Sequence, residues 1–133
     1  RSPSRGLGDV YKRQTPDRVK KVWQACLAEM DAASLAGHFH NTYGMAIANI
    51  YQSLEQGIRV FDSSIAGLGG CPYAKGASGN VSTEDLYYLL SNMGYITGID
   101  LDALMIASQN ISQILQRTNP SNYANAYWQK RCA

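Results

Sequence analysis

Two histidines make up the whole imidazole complement of this 133-residue chain, and they stand two positions apart, at His38 and His40. On a β-strand such residues point to the same face, so both rings can reach one ion. Histidine suits several divalent metals, so the pair does not choose among them, and an ordinary polar strand end is an equally open reading. A second concentration of chemistry lies at 67–80, GLGGCPYAKGASGN, where Cys71 follows two glycines and precedes a proline. Glycines there let the backbone approach a ligand closely, and the thiol stands outside any apolar stripe. Asn80 closes the loop, either capping a turn or offering its amide oxygen to a metal as a hard ligand.

Positioning these groups takes one strand for the histidines and another beside it to launch the loop. Residues 34–40 (SLAGHFH) read as a strand that enters buried and ends polar, and 58–62 (IRVFD) as a second, buried one. Between them 45–56 read as a helix with Ile47, Ile50, Tyr51 and Leu54 on one side and Gly57 as its stop. Strand, helix and strand within about thirty residues form the βαβ unit of a parallel sheet, which places the chain in the α/β class. Function in such sheets gathers at the carboxyl ends of strands, where the HxH pair and the loop after Asp62 both fall.

Flanking elements complete the frame. Thr15-Pro16-Asp17 opens a helix whose stripe is Val19, Val22, Trp23, Cys26 and Met30, which makes Cys26 a core thiol. Ser82 starts another, carrying Leu86, Leu89, Leu90 and Met93 to a stop at Gly94. Asp100 caps a third, with Leu101, Leu104, Met105, Ser108, Ile111 and Leu115 inward, and 123–128 form a last short amphipathic segment.

Composition excludes several classes. With 45% hydrophobic and 17% charged residues the chain can build a packed core and is no disordered tail. No apolar run approaches the roughly 18–20 residues of a membrane-spanning helix. Three scattered cysteines, Cys26, Cys71 and Cys132, form no disulfide framework and favour a reducing compartment. The net charge of +2 is no nucleic-acid footprint, because seven of the twelve cations lie at or before Lys21. The first fourteen residues, RSPSRGLGDVYKRQ, have neither periodicity nor the apolar core of a secretory signal. Their last six, DVYKRQ, are what GATGTGTATAAGAGACAG encodes, which resembles a transposon mosaic end used as a sequencing adapter. Residues 1–14 are therefore expected to be adapter-derived or a disordered tail, an expectation that the same residues in an independently cloned gene would overturn. Without them 8 cations face 9 anions, a net charge of −1.

Two longer stretches carry a family resemblance. SSIAGLGGCPY at 63–73 closely resembles the signature of 3-hydroxy-3-methylglutaryl-CoA lyase, and HFHNTYGMAIAN at 38–49 resembles that family's strand-seven segment. The resemblance runs from about residue 15 to about 115. It implies the C-terminal part of a (β/α)8 TIM barrel, with strands 7 and 8 being the two read above, followed by C-terminal helices. The expected organisation is a tail at 1–14, a partial barrel at 15–116 and a helical tail at 117–133. The implied reaction cleaves 3-hydroxy-3-methylglutaryl-CoA to acetyl-CoA and acetoacetate with bound magnesium or manganese. Carried over, the resemblance makes His38, His40 and Asn80 metal ligands, His38 also a proton relay, Cys71 the catalytic loop thiol, and Gly69, Gly70 and Tyr73 the substrate loop. Asn41 stands where these lyases usually have Asp, so a base at that position is in doubt. Tyr43 and Lys75 are read as solvated loop residues.

A whole barrel needs about 250 residues, so the chain as given is expected to be inactive alone, without the arginine and aspartate of the family's first strand. The other readings are an isopropylmalate- or homocitrate-type synthase, whose loop lacks the GGCPYA run, and a noncatalytic α/β or zinc-binding module, for which no fourth ligand stands at plausible spacing. The implied partners are a small acyl-CoA substrate and a second copy in a homodimer, with no nucleic acid and no membrane. The implied compartment is the cytoplasm, or the mitochondrial matrix in a eukaryote.

Overall fold

The computed structural model describes residues 14–70 and 79–132. Helix α1 (Pro16–Leu27) begins with proline where its missing N–H costs nothing, and Asp17 faces the positive helix end. It lies against helix α2 (Ala46–Glu55), whose buried face is Ala46, Asn49, Ile50, Ser53 and Leu54. Strand β1 (Ala36–His38) pairs in parallel with strand β2 (Val60–Asp62), so the βαβ reading holds with shorter strands than the sequence suggests, and β2 is largely exposed where the sequence reads it as buried. Gly57 ends α2 with φ +88°, a left-handed turn that glycine adopts without penalty. One core joins these parts: Val19, Trp23, Phe39, Ala46, Ile50, Leu54, Ile58, Val81 and Leu86. Ile50 and Ile58 are wholly buried, each contributing about 1.5–3 kcal/mol of transfer free energy.

The stripe on α1 is narrower than its sequence implies. Val19 and Trp23 are buried, but Val22 is exposed and Met30 lies beyond the end of the helix, half exposed. A helix packed along one neighbour buries mainly i and i+4, and the flanking apolar positions stay open. Cys26 is half-buried against the core, a free thiol.

Three helices follow. In α3 (Thr83–Asn92) Ser82 Oγ accepts from the Asp85 N–H at 3.2 Å, and in α4 (Leu101–Ile114) Asp100 Oδ1 accepts from the Ala103 N–H at 3.0 Å, so both sequence-read caps form. Leu104, Met105 and Ser108 face inward on α4, whereas Leu115 lies past its end and is exposed. Helix α5 (Asn122–Cys132) is longer than the segment read at 123–128. Asp85 binds its start: Oδ1 accepts from Ser121 Oγ and from the Tyr123 N–H, both at 2.9 Å. Among the described residues no helix is long and apolar enough to cross a membrane.

Candidate metal and active site

The parallel register sets His38 opposite Asp62 at the carboxyl ends of β1 and β2. His38 Nδ1 lies 3.2 Å from Asp62 Oδ2, which holds the ring by one nitrogen and leaves Nε2 free to turn elsewhere. That Nε2 lies 3.4 Å from Nε2 of His40. Ligand atoms about 2.1 Å from one ion stand ~3–3.4 Å from each other, so the two imidazoles are spaced as a pair of ligands. The two rings thus meet at one strand end, and Asp62 is a neighbour that sequence reasoning missed. Its signal is the register, which brings a carboxylate level with the first histidine.

Asn80 reaches the same place from the far end of the loop. It forms an isolated antiparallel bridge with His40, and its Nδ2 donates to the Leu68 carbonyl at 3.1 Å. Its Oδ1 is buried and has no hydrogen-bond partner among the described residues. A buried acceptor left unpaired costs about 1–3 kcal/mol, and a cation beside it removes that cost. Two imidazoles and an amide oxygen, all neutral, fit a divalent metal that keeps its charge for an anionic chelating ligand. No group of three or more His, Cys, Asp or Glu side chains that could hold a metal ion gathers among the described residues.

Glycines make the loop's close packing possible. A Cβ on Gly79 would stand 1.7 Å from the Gly67 carbonyl oxygen and 2.5 Å from that of Gly69. A Cβ on Gly69 would meet Asn80 Nδ2 at 2.7 Å. Gly69 thus supports Asn80, and Gly70 is exposed. Cys71, Tyr73 and Lys75 lie outside the described residues. Asn41 Oδ1 accepts from the Ala46 N–H at 3.2 Å, a bond that starts α2, and Tyr43 is exposed.

A second polar cluster gathers around Ala66. Glu84 is wholly buried, its carboxylate accepting the Ala66 N–H at 2.9 and 3.2 Å and the hydroxyl of Ser108. Asn119 Nδ2 donates to Ser108 Oγ at 2.7 Å. Ala66 sits at φ +51°, a left-handed conformation costly for any residue with a Cβ.

The fold is an α/β unit that brings two imidazoles together at the carboxyl ends of parallel strands, with Asn80 bridged to the second of them. Residues 6–111 match the HMGL-like family, and the chain belongs to it; the match opens inside the segment set apart above at 1–14. It is 53% identical over 115 residues to hydroxymethylglutaryl-CoA lyase of Pseudomonas mevalonii, covering 86% of this chain and 38% of that protein. It is 48% identical over 120 residues to the human mitochondrial enzyme of that name, covering 90% of this chain and 37% of the relative. The crystal structure of the Pseudomonas aeruginosa lyase superposes with TM-score 0.86 at 50% identity, over 92% of this chain and 41% of that one. A lyase from Acinetobacter baumannii, solved with coenzyme A and 3-methylmalate, superposes with TM-score 0.80 at 42% identity, over 85% of this chain and 37% of that one. These neighbours are TIM-barrel enzymes. The chain spans roughly two-fifths of the length of the bacterial relatives it matches.

Proposed function

We propose that this chain is the C-terminal part of a carbon–carbon lyase that cleaves 3-hydroxy-3-methylglutaryl-CoA to acetyl-CoA and acetoacetate, with β1 and β2 as barrel strands 7 and 8. The observation that carries this reading is the approach of the His38 and His40 rings, with the unpartnered Asn80 oxygen on the residue bridged to His40, in a chain about half identical to such lyases. His38, His40 and Asn80 would hold a divalent ion, magnesium or manganese. Bound there, it would acidify the tertiary hydroxyl and chelate a substrate oxygen.

The chain's own residues supply the rest. Asp62 fixes the His38 ring by Nδ1, and the proton leaving the substrate hydroxyl passes to this His38–Asp62 pair, whose carboxylate has room to accept it. As the carbon–carbon bond breaks, its electron pair passes into the thioester enolate and the former alcohol carbon becomes the ketone of acetoacetate. Cys71 delivers a proton to the enolate carbon, giving acetyl-CoA. Asn41 is engaged at the start of α2 and serves as no base.

The test is the full-length protein bearing this chain, assayed for acetoacetate release with and without Mg2+ or Mn2+. Wild type should cleave only with metal, and Cys71→Ala should keep its fold and lose turnover. A wild-type protein without cleavage in either metal, or a Cys71→Ala variant of undiminished rate, would overturn the reading.

A further inference from the structure

The segment following α4 turns back beneath the catalytic loop and touches its stem twice. Arg117 Nη2 donates to the Ala66 carbonyl at 2.9 Å, and the Pro120 ring packs so close to Gly67 that a Cβ there would meet its Cγ at 3.0 Å. The Ala66 peptide is thus held from both ends, its N–H by Glu84 and its carbonyl by Arg117. Two residues on, the Leu68 carbonyl accepts both the Asn80 N–H at 3.4 Å and Asn80 Nδ2 at 3.1 Å. Those two hydrogen bonds fix which way the unpartnered Asn80 oxygen turns. The segment is itself anchored, since Asp85 holds Ser121 and Asn119 holds both Ser108 and the Ser121 N–H.

We propose that Arg117 is a positioning residue for the site: by holding Ala66 in its left-handed conformation it sets the loop stem, and through the stem the Asn80 oxygen. This rests on the lyase reading above. A guanidinium suits the task because it is always charged and its planar donors reach a carbonyl that helix geometry leaves unpaired. The role belongs to a segment C-terminal to the βαβ unit, which gives the helical tail a part in catalysis without any contact with substrate.

Full-length wild type, Arg117→Gln and Arg117→Lys separate the possibilities through three measurements: thermal unfolding, Mn2+ affinity by electron paramagnetic resonance, and steady-state kinetics. Arg117→Gln is expected to lower kcat about tenfold or more with KM within about threefold, as misplacement of a catalytic group does. Its Mn2+ affinity should fall about tenfold, the loss typical when support behind a ligand is removed. Arg117→Lys, which keeps a charged donor, should recover most of both. An Arg117→Gln protein with unaltered kcat and Mn2+ affinity overturns the proposal. So does a loss of kcat that tracks the unfolding temperature equally in both variants, which marks a merely structural residue. Absence of cleavage by wild type defeats the lyase reading instead, and the Mn2+ arm then decides the positioning role by itself; wild type that binds no Mn2+ takes both down.

Discussion

His38 and Asp62 share one rung of the β1–β2 ladder, with the imidazole Nδ1 3.2 Å from the carboxylate. The carboxylate sets the tautomer, keeping the proton on Nδ1 so that Nε2 presents its lone pair beside His40. Second partners of this kind are worth about 10–100-fold in metal affinity. Asp62→Asn in the full-length protein is accordingly expected to weaken Mn2+ binding by that factor while leaving the fold intact. Calorimetric titration with Mn2+ checks it, and an unchanged dissociation constant would show that the pair plays no part in holding an ion.

Gly79 lies where the two ends of the loop come closest. A methyl group there would enter the space of the Gly67 and Gly69 carbonyls, both backbone atoms that cannot rotate away. Overpacking against fixed atoms costs about 1–3 kcal/mol and sometimes more. Gly79→Ala should therefore unfold at lower denaturant and bind Mn2+ more weakly, because Asn80 is the next residue. Gly70→Ala, with nothing within 4 Å of its Cβ among the described residues, should leave stability within about 0.5 kcal/mol of wild type.

Much of this frame is written locally. Ser82 and Asp100 cap the helices their positions suggest, Gly57 and Gly94 end helices at φ +88° and +83°, and the HxH spacing alone puts both rings on one side of a strand. Other features depend on partners far along the chain. Asp62 gains its meaning from register, 24 residues away from His38. Glu84 looks like an acid favouring a helix dipole, yet it is wholly buried because Ala66 and Ser108 supply its donors. Asp85 reads as part of the same helix start but binds Ser121 and Tyr123, 36 and 38 residues on. In α5 the less exposed side chains are Tyr123, Ala124, Tyr127 and Trp128, the i, i+4 face of the amphipathic segment read at 123–128, to which distant aromatic and ionic partners are added.

Between α4 and α5, Asp102 accepts from the Tyr127 hydroxyl and from Arg131 at 3.0 Å, while the Arg131 guanidinium lies 4.5 Å from the Tyr127 ring centre. The Tyr127 bond, and after it the charge of Arg131, hold the Asp102 carboxyl below its usual range. Its contribution to stability is therefore complete above about pH 4 and lost as pH falls through the lower folded value. The same bond raises the Tyr127 phenol, whose contribution is present below about pH 10 and lost as pH rises through the raised value. The gap in unfolding temperature between wild type and Asp102→Asn should be flat from about pH 5 to 9 and close at both ends. A gap that widens in acid would mean that the contact does not form in solution.

Trp23 donates its indole N–H to Ser53 Oγ at 2.7 Å, and that hydroxyl donates in turn to the Asn49 carbonyl at 2.7 Å, joining α1 to α2 inside the core. Ser53 is wholly buried, so removing its oxygen strands an indole donor with no water to replace it. An abandoned buried donor costs about 1–3 kcal/mol, more than the net worth of the bond, which is about 0.5–1.5 kcal/mol. Ser53→Ala should therefore cost about 1–3 kcal/mol in wild type but only ~1 kcal/mol or less in a Trp23→Phe background, where no donor is left behind. Urea denaturation of the four proteins of this cycle measures both, provided the slope with denaturant stays constant. Equal costs in the two backgrounds would show that the hydroxyl acts through Asn49 alone.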